Sequence, residues 1–215
     1  MPDLRPPVAV RWLVLGLVIV LPLGAGFGLR SLRVRPWRVR VGGVAAVLGG
    51  ALWTWMWVWG SQSTTNDPTW IGLGAGLLLA LAVMGLAGAQ RPTRFGWLGL
   101  VLAGLGPLAV AAGLLLSSWF QWDAGWLGLI IGLLSHVIGL TLIGLANLLA
   151  QRRSFLSLWP LAMGVLGGLL PVALSFANNS NADWPALIMA YGLGGGWVLL
   201  GLALWRTAPA APPPA

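Results

Sequence analysis

The chain of 215 residues contains no cysteine, no lysine and no glutamate, and has a single histidine and a single tyrosine. Without cysteine there is no disulfide, no thiolate metal site and no cysteine nucleophile. Without lysine there is no retinal Schiff base. The four acidic residues are all aspartate and none lies inside a long apolar stretch. That removes the intramembrane carboxylate on which proton-coupled transport ordinarily depends. One histidine with neither cysteine nor glutamate leaves too few ligands for a hydrolytic metal site. No GxxxxGK[ST] run is present to cradle a nucleotide phosphate. Charge itself is scarce, at 7% of residues, against about 25% in a soluble domain.

What is present is apolar. Hydrophobic residues make up 58% of the chain. A membrane-spanning helix needs about 20 consecutive apolar residues. Seven stretches meet that length, at 12–29, 41–60, 70–89, 96–118, 126–149, 156–176 and 185–205. The charged residues fall in the gaps between them or beside their ends. The expectation is an all-α polytopic transmembrane bundle with no soluble domain: an extracytoplasmic N-terminus at 1–11, a seven-span domain at 12–206, and a Pro/Ala-rich cytoplasmic tail at 207–215. The net charge of +8 comes from twelve arginines. Most sit beside span ends, which is a topology signal and not a nucleic-acid footprint, so no nucleic-acid partner is expected.

The gaps alternate in charge. Arg30, Arg33, Arg35, Arg38 and Arg40 follow the first span, Arg91 and Arg94 the third, Arg152 and Arg153 the fifth, and Arg206 the seventh. The intervening gaps carry no arginine and one aspartate each, Asp67, Asp123 and Asp183. The positive-inside rule then puts the N-terminus outside and the C-terminus in the cytoplasm. Arginine without lysine, amid abundant alanine and glycine, is the composition of a GC-rich bacterial genome, so the expected location is a bacterial inner (plasma) membrane.

After the first span a pattern recurs at intervals of 56 to 60 residues. An inner arginine is followed by an outward helix, a turn with aspartate and tryptophan, and a returning helix that ends in Gly-Leu-Ala before the next arginine. This predicts three parallel helical-hairpin repeats behind one N-terminal helix. Convergence of any Arg-flanked hairpin on the same layout is the competing explanation. Small residues four apart at Gly24/Gly28, Gly72/Gly76, Gly128/Gly132, Gly164/Gly168 and Gly192/Gly196 mark close helix contact, within the chain or toward a partner. Pro22, Pro107 and Pro171 lie inside spans and are read as bends that neighbouring helices accommodate.

His136 lies near the middle of the fifth span, with Gly132 and Gly139 on adjoining turns. A histidine above a glycine leaves room for a flat macrocycle, so haem or chlorophyll ligation is one reading. The other is a structural histidine bonded to a neighbouring carbonyl, Ser or Asn. Tryptophan is the second unusual feature, with fifteen in the chain. Trp12, Trp53, Trp55, Trp57, Trp59, Trp70, Trp119, Trp122, Trp126 and Trp184 all fall toward the expected outer boundary. Trp37, Trp97, Trp159 and Trp205 fall toward the inner one, and Trp197 lies deeper. Interfacial anchoring explains most of these. An outer aromatic edge for a partner helix, a lipid or a sugar is the functional alternative. The cluster Arg30, Arg33, Arg35, Arg38 and Arg40 is topogenic or contacts anionic headgroups. The aspartates and asparagines of the outer turns are ordinary turn residues, with a hard-cation site as the alternative.

The functional expectation is a non-enzymatic integral membrane protein, a structural or assembly subunit of a membrane complex, with lipids and other membrane subunits as partners. A passive facilitator of a small uncharged solute and a haem- or chlorophyll-binding subunit are the alternatives.

Overall fold

The computed structural model describes Val8, Arg11, Trp12 and residues 36–62, 69–90, 92–177 and 184–207. The expected first span beyond Trp12, the 207–215 tail beyond Thr207, and Arg30, Arg33, Arg35 and Arg91 lie outside the described residues. So do the side chains of Trp59 and Trp184. The described residues form helices α1 (Pro36–Gln62), α2 (Thr69–Ala89), α3 (Arg94–Ser118), α4 (Gly125–Leu149), α5 (Phe155–Gly164), α6 (Leu170–Ala177) and α7 (Trp184–Thr207). A π-helical turn, Val165–Leu169, joins α5 to α6, so these two make one span. No strand occurs among the described residues.

Six of these spans are long and apolar enough to cross a membrane, and they coincide within a few residues with the last six read from the sequence. The protein is therefore a multi-pass integral membrane protein. Leu48, Leu81, Leu98, Val101, Ile130, Ile131 and Leu202 stand exposed on the bundle surface. An apolar belt of that extent is incompatible with water and suits hydrocarbon.

The helices pack in chain order. α1 lies on α2, α2 on α3, α3 on α4, α4 on α5, and α5 with its π turn on α7, while α7 returns to α1 and closes the ring. Neighbours run antiparallel. Arg38, Arg40, Arg94, Arg152, Arg153 and Arg206 consequently gather at one end of the bundle. Arg11, Trp12, Trp70, Trp119, Trp122 and Asp123 stand at the other. At that end Arg11 donates to the Trp119 carbonyl at 2.6 Å, and Trp12 meets Phe120 and Trp122 edge-on.

Glycine decides which helices touch through their backbones. On α3, Gly99, Gly106 and Gly113 recur every seven residues; on α4, Gly125, Gly132 and Gly139 do the same. A Cβ at Gly106 would lie 2.6 Å from the Gly132 oxygen, and one at Gly99 would lie 2.8 Å from the Gly139 oxygen. Gly43 and Gly50 of α1 face Gly201 and Gly194 of α7 in the same manner. A seven-residue spacing keeps one face on a neighbour when two helices wind left-handed about each other. The described four-apart pairs also sit on seams within the chain: Gly164 and Gly168, for example, both abut Val137 of α4.

Helix ends follow local chemistry. Pro36 and Pro185 occupy first turns, where a missing N–H costs nothing. Thr93 caps α3, its hydroxyl accepting from the Gly96 N–H at 3.1 Å. α3 and α4 both end in a left-handed residue, Gln121 (φ 55°) and Gln151 (φ 56°). After each, an amide reaches back to a carbonyl of the last turns, Trp122 six residues to Leu116 and Arg152 five residues to Asn147, both at 2.9 Å.

Candidate functional site around His136

Pro107 sits mid-way along α3 and is buried. It has no N–H, so the carbonyl four residues earlier, that of Ala103, loses its helical donor. In hydrocarbon an unpaired carbonyl is costly and must be met by a neighbour. His136 of α4 meets it: its Nδ1 lies 2.7 Å from the Ala103 oxygen. Gly139 and Gly106 allow this approach, because α3 and α4 touch backbone to backbone on either side of the bond.

The second ring nitrogen is also engaged. Trp197 of α7 donates its indole N–H to His136 Nε2 at 3.0 Å. A carbonyl can only accept and an indole N–H can only donate. The partners thereby assign the tautomer: neutral, with the proton on Nδ1. The chain Trp197–His136–Ala103 ties α7, α4 and α3 together across the bundle. The Trp197 ring lies nearly parallel to the imidazole at 26° with centroids 5.7 Å apart, and the Trp53 ring of α1 stands 6.2 Å away. His136 and Trp197 are 0% exposed and Trp53 is 1%. The axis is filled, and one imidazole on α4 meets groups from three other helices.

The same device recurs near the arginine-rich end. Pro160 in α5 orphans the Leu156 carbonyl. Gln90, just past α2, donates to that oxygen at 2.6 Å. Asn147 of α4 donates to the Gln90 side-chain oxygen at 3.0 Å and to the Ser157 carbonyl at 3.1 Å. A third proline, Pro171, is accommodated differently: the π turn widens the helix just ahead of it, and the Leu170 N–H reaches the Val165 carbonyl five residues back.

This geometry bears on the macrocycle reading. Axial ligation needs a free imidazole nitrogen with space before it. Nδ1 is bonded to Ala103 and Nε2 to Trp197. The space beside Gly132 and Gly139 is taken by α3, since a Cβ at Gly132 would lie 2.6 Å from the Gly106 oxygen and one at Gly139 2.7 Å from the Ala103 Cα. The residues present do not fit a haem or chlorophyll in this arrangement. Nor do three His, Cys, Asp or Glu side chains come together among the described residues.

The tryptophans separate by environment. Trp12, Trp55, Trp70, Trp122 and Trp126 are exposed at or toward the arginine-poor end, and Trp37 and Trp205 at the arginine-rich end, as anchoring requires. Trp53 departs from the outer aromatic edge: it is buried on the axis against His136. Trp119 is buried too, edge-on to Trp70 at 4.7 Å. Trp57 is half-buried on the core. Of the arginine cluster, Arg38 and Arg40 are described in the first turns of α1, where the Arg38 guanidinium lies 5.4 Å from the Trp37 ring.

A cleft of about 880 Å³ opens on the lipid-facing surface along α7, lined among others by Thr54 and Trp55 of α1, Trp159 of α5, and Tyr191, Gly195 and Leu199 of α7. Trp159 is held there by its N–H bond to the Gly196 carbonyl at 2.9 Å. A Cβ at Gly195 would meet nothing within 4 Å, unlike those on the internal seams.

Two relations were missed in the sequence: the seven-residue glycine spacing, hidden behind the four-residue pairs, and the match of Pro107 to His136. The second had a signal. A proline in mid-span must orphan a carbonyl, and the only histidine stands mid-span on the next helix. No protein-family model matches the chain, and neither the curated proteins nor the solved structures contain a match to it.

Proposed function

We propose that this membrane protein is a non-enzymatic structural or assembly subunit of a membrane complex, with a partner's transmembrane helix seated against α7. The observation that carries this reading is the α7 cleft, where glycine faces open space on the lipid side between Trp55 and Trp159. Helix association in lipid depends on close backbone approach, and small residues provide it. The plugged axis argues in the same direction, since an open conduit would need a lined path where His136, Trp53 and Trp197 now pack. His136 acts in this reading as a structural latch and takes no cofactor. The chain has no native cysteine, so Gly195→Cys supplies a single thiol for crosslinking in native membranes. Recovery of a stoichiometric partner is expected; a lone monomer would count against the proposal.

We further infer seven spans with the N-terminus outside and the C-terminus in the cytoplasm of a bacterial inner membrane. Two observations support this. Every described arginine except Arg11 stands at one end of the bundle. Trp12 lies at the opposite end from Pro36, where α1 begins, which is the placement that a further span at 12–29 would give. A C-terminal reporter active only outside the cell would refute the orientation. The recurrent arginine and Gly-Leu-Ala signals support descent of the three hairpins from one duplicated unit.

A further inference from the structure

Two buried hydrogen-bond donors on α1 have no partner. The indole Nε1 of Trp53 and that of Trp57 are both enclosed, and neither meets an acceptor. Other indoles in the bundle are satisfied: Trp197 donates to His136 and Trp159 to the Gly196 carbonyl. The unsatisfied pair stands together, one helical turn apart on α1, with ring centroids 6.1 Å apart. Each N–H needs an acceptor about 2.9 Å away, and the protein supplies none to either ring. Leaving such donors unpaired is unfavourable, and a phenylalanine would fill nearly the same space without that cost.

We propose that Trp53 and Trp57 bind a small neutral hydrogen-bond acceptor, the oxygen of a water molecule or of a simple amide or ketone, inside the outer half of the bundle. Donors alone recognise an acceptor. Neutrality follows from the surroundings. Both rings pack in the core with Met56, Met189 and Leu193, and no charged residue is buried among the described residues, so an anion would be stripped of water without a counter-charge. His136 does not compete as an acceptor, because Trp197 occupies its Nε2. Access is from the outer end. Trp57 stands five residues before the end of α1 at Gln62, about 7.5 Å along the axis, and Trp53 lies one turn deeper. Met56 and Met189 can repack around an entering molecule, because the thioether chain is unbranched and adaptable. This site is independent of the α7 cleft, so either proposal can fail without the other.

The test uses the full-length protein in detergent micelles with its tryptophans replaced by 5-fluorotryptophan. Fluorine NMR then reads each ring, and Trp57→Phe and Trp53→Phe assign the two resonances. Trp57 is only half-buried, so its variant secures an assignment even if Trp53→Phe does not fold. One arm titrates N,N-dimethylacetamide, a carbonyl that accepts but cannot donate. The other exchanges H2O for D2O. The Trp53 and Trp57 resonances should respond, saturably to the amide if a small solute is the occupant or to the isotope exchange alone if water is. The Trp197 resonance, equally buried but bonded to His136, should stay still. Silence of both resonances in both arms overturns the proposal.

Discussion

Gly139 on α4 and Gly195 on α7 are the same residue in the middle of two apolar helices of nearly equal length, yet they do opposite things. At Gly139 a Cβ would run into the backbone of α3 around Ala103; at Gly195 it would meet nothing within 4 Å. The first glycine lets two helices of one chain touch. The second leaves a dent in the surface that faces lipid. Residue type is the same signal at both positions, though Gly139 belongs to a seven-residue glycine series and Gly195 does not. Only the neighbour distinguishes a seam that is already filled from one that is open to a partner.

The contrast is broken most forcefully by leucine. Gly139→Leu forces α3 away from α4 and should cost on the order of 3 kcal/mol, or abolish the folded protein, as read by thermal or SDS-induced unfolding. Gly195→Leu should change stability by less than about 0.5 kcal/mol while abolishing co-purification of the partner from native membranes. Equal destabilisation by both would mean that α7 is as enclosed as α4.

The next effect is at the axis. His136→Leu leaves the Trp197 N–H and the Ala103 carbonyl unpaired and should cost about 2–4 kcal/mol. Pro107→Ala restores an N–H to Ala103, so the penalty of His136→Leu should be smaller in that background by about 1 kcal/mol. Strict additivity would show that His136 does not serve the carbonyl freed by proline. The arginine-rich end provides a weaker version. Gln90→Leu should cost about 0.6 kcal/mol, the average for such bonds between membrane helices, and Pro160→Ala should reduce that cost too. The smallest change is a gain: Gln151→Gly relieves a left-handed residue at the end of α4 and should stabilise by about 0.5–1 kcal/mol.

The boundaries of the six described spans were legible to within a few residues because the bilayer imposes a length, and arginine marks where each helix leaves it. The Trp12, Trp55, Trp70, Trp122 and Trp126 positions were legible for a related reason, since indole favours the headgroup level wherever it is free to reach it. Trp53 was not. It belongs to the alternating run Trp53, Trp55, Trp57, whose members point to different flanks of α1, and hydropathy is blind to rotation about an axis. His136 was readable as an interior residue with two competing roles. Its partners were hidden because Ala103 and Trp197 are 33 and 61 residues away in sequence, and no local pattern connects them.

By itself the sequence determined that the chain lives in lipid, where its helices begin and end, and which ends share a face. These follow from transfer free energies, which each residue contributes locally. Tertiary structure alone decided which glycines touch, which carbonyl His136 receives, and which two tryptophan N–H groups are left facing no acceptor. Within hydrocarbon nearly every side chain is equally soluble, so hydrophobicity no longer chooses between neighbours. That choice passes to close packing and to the few polar groups that must find one another.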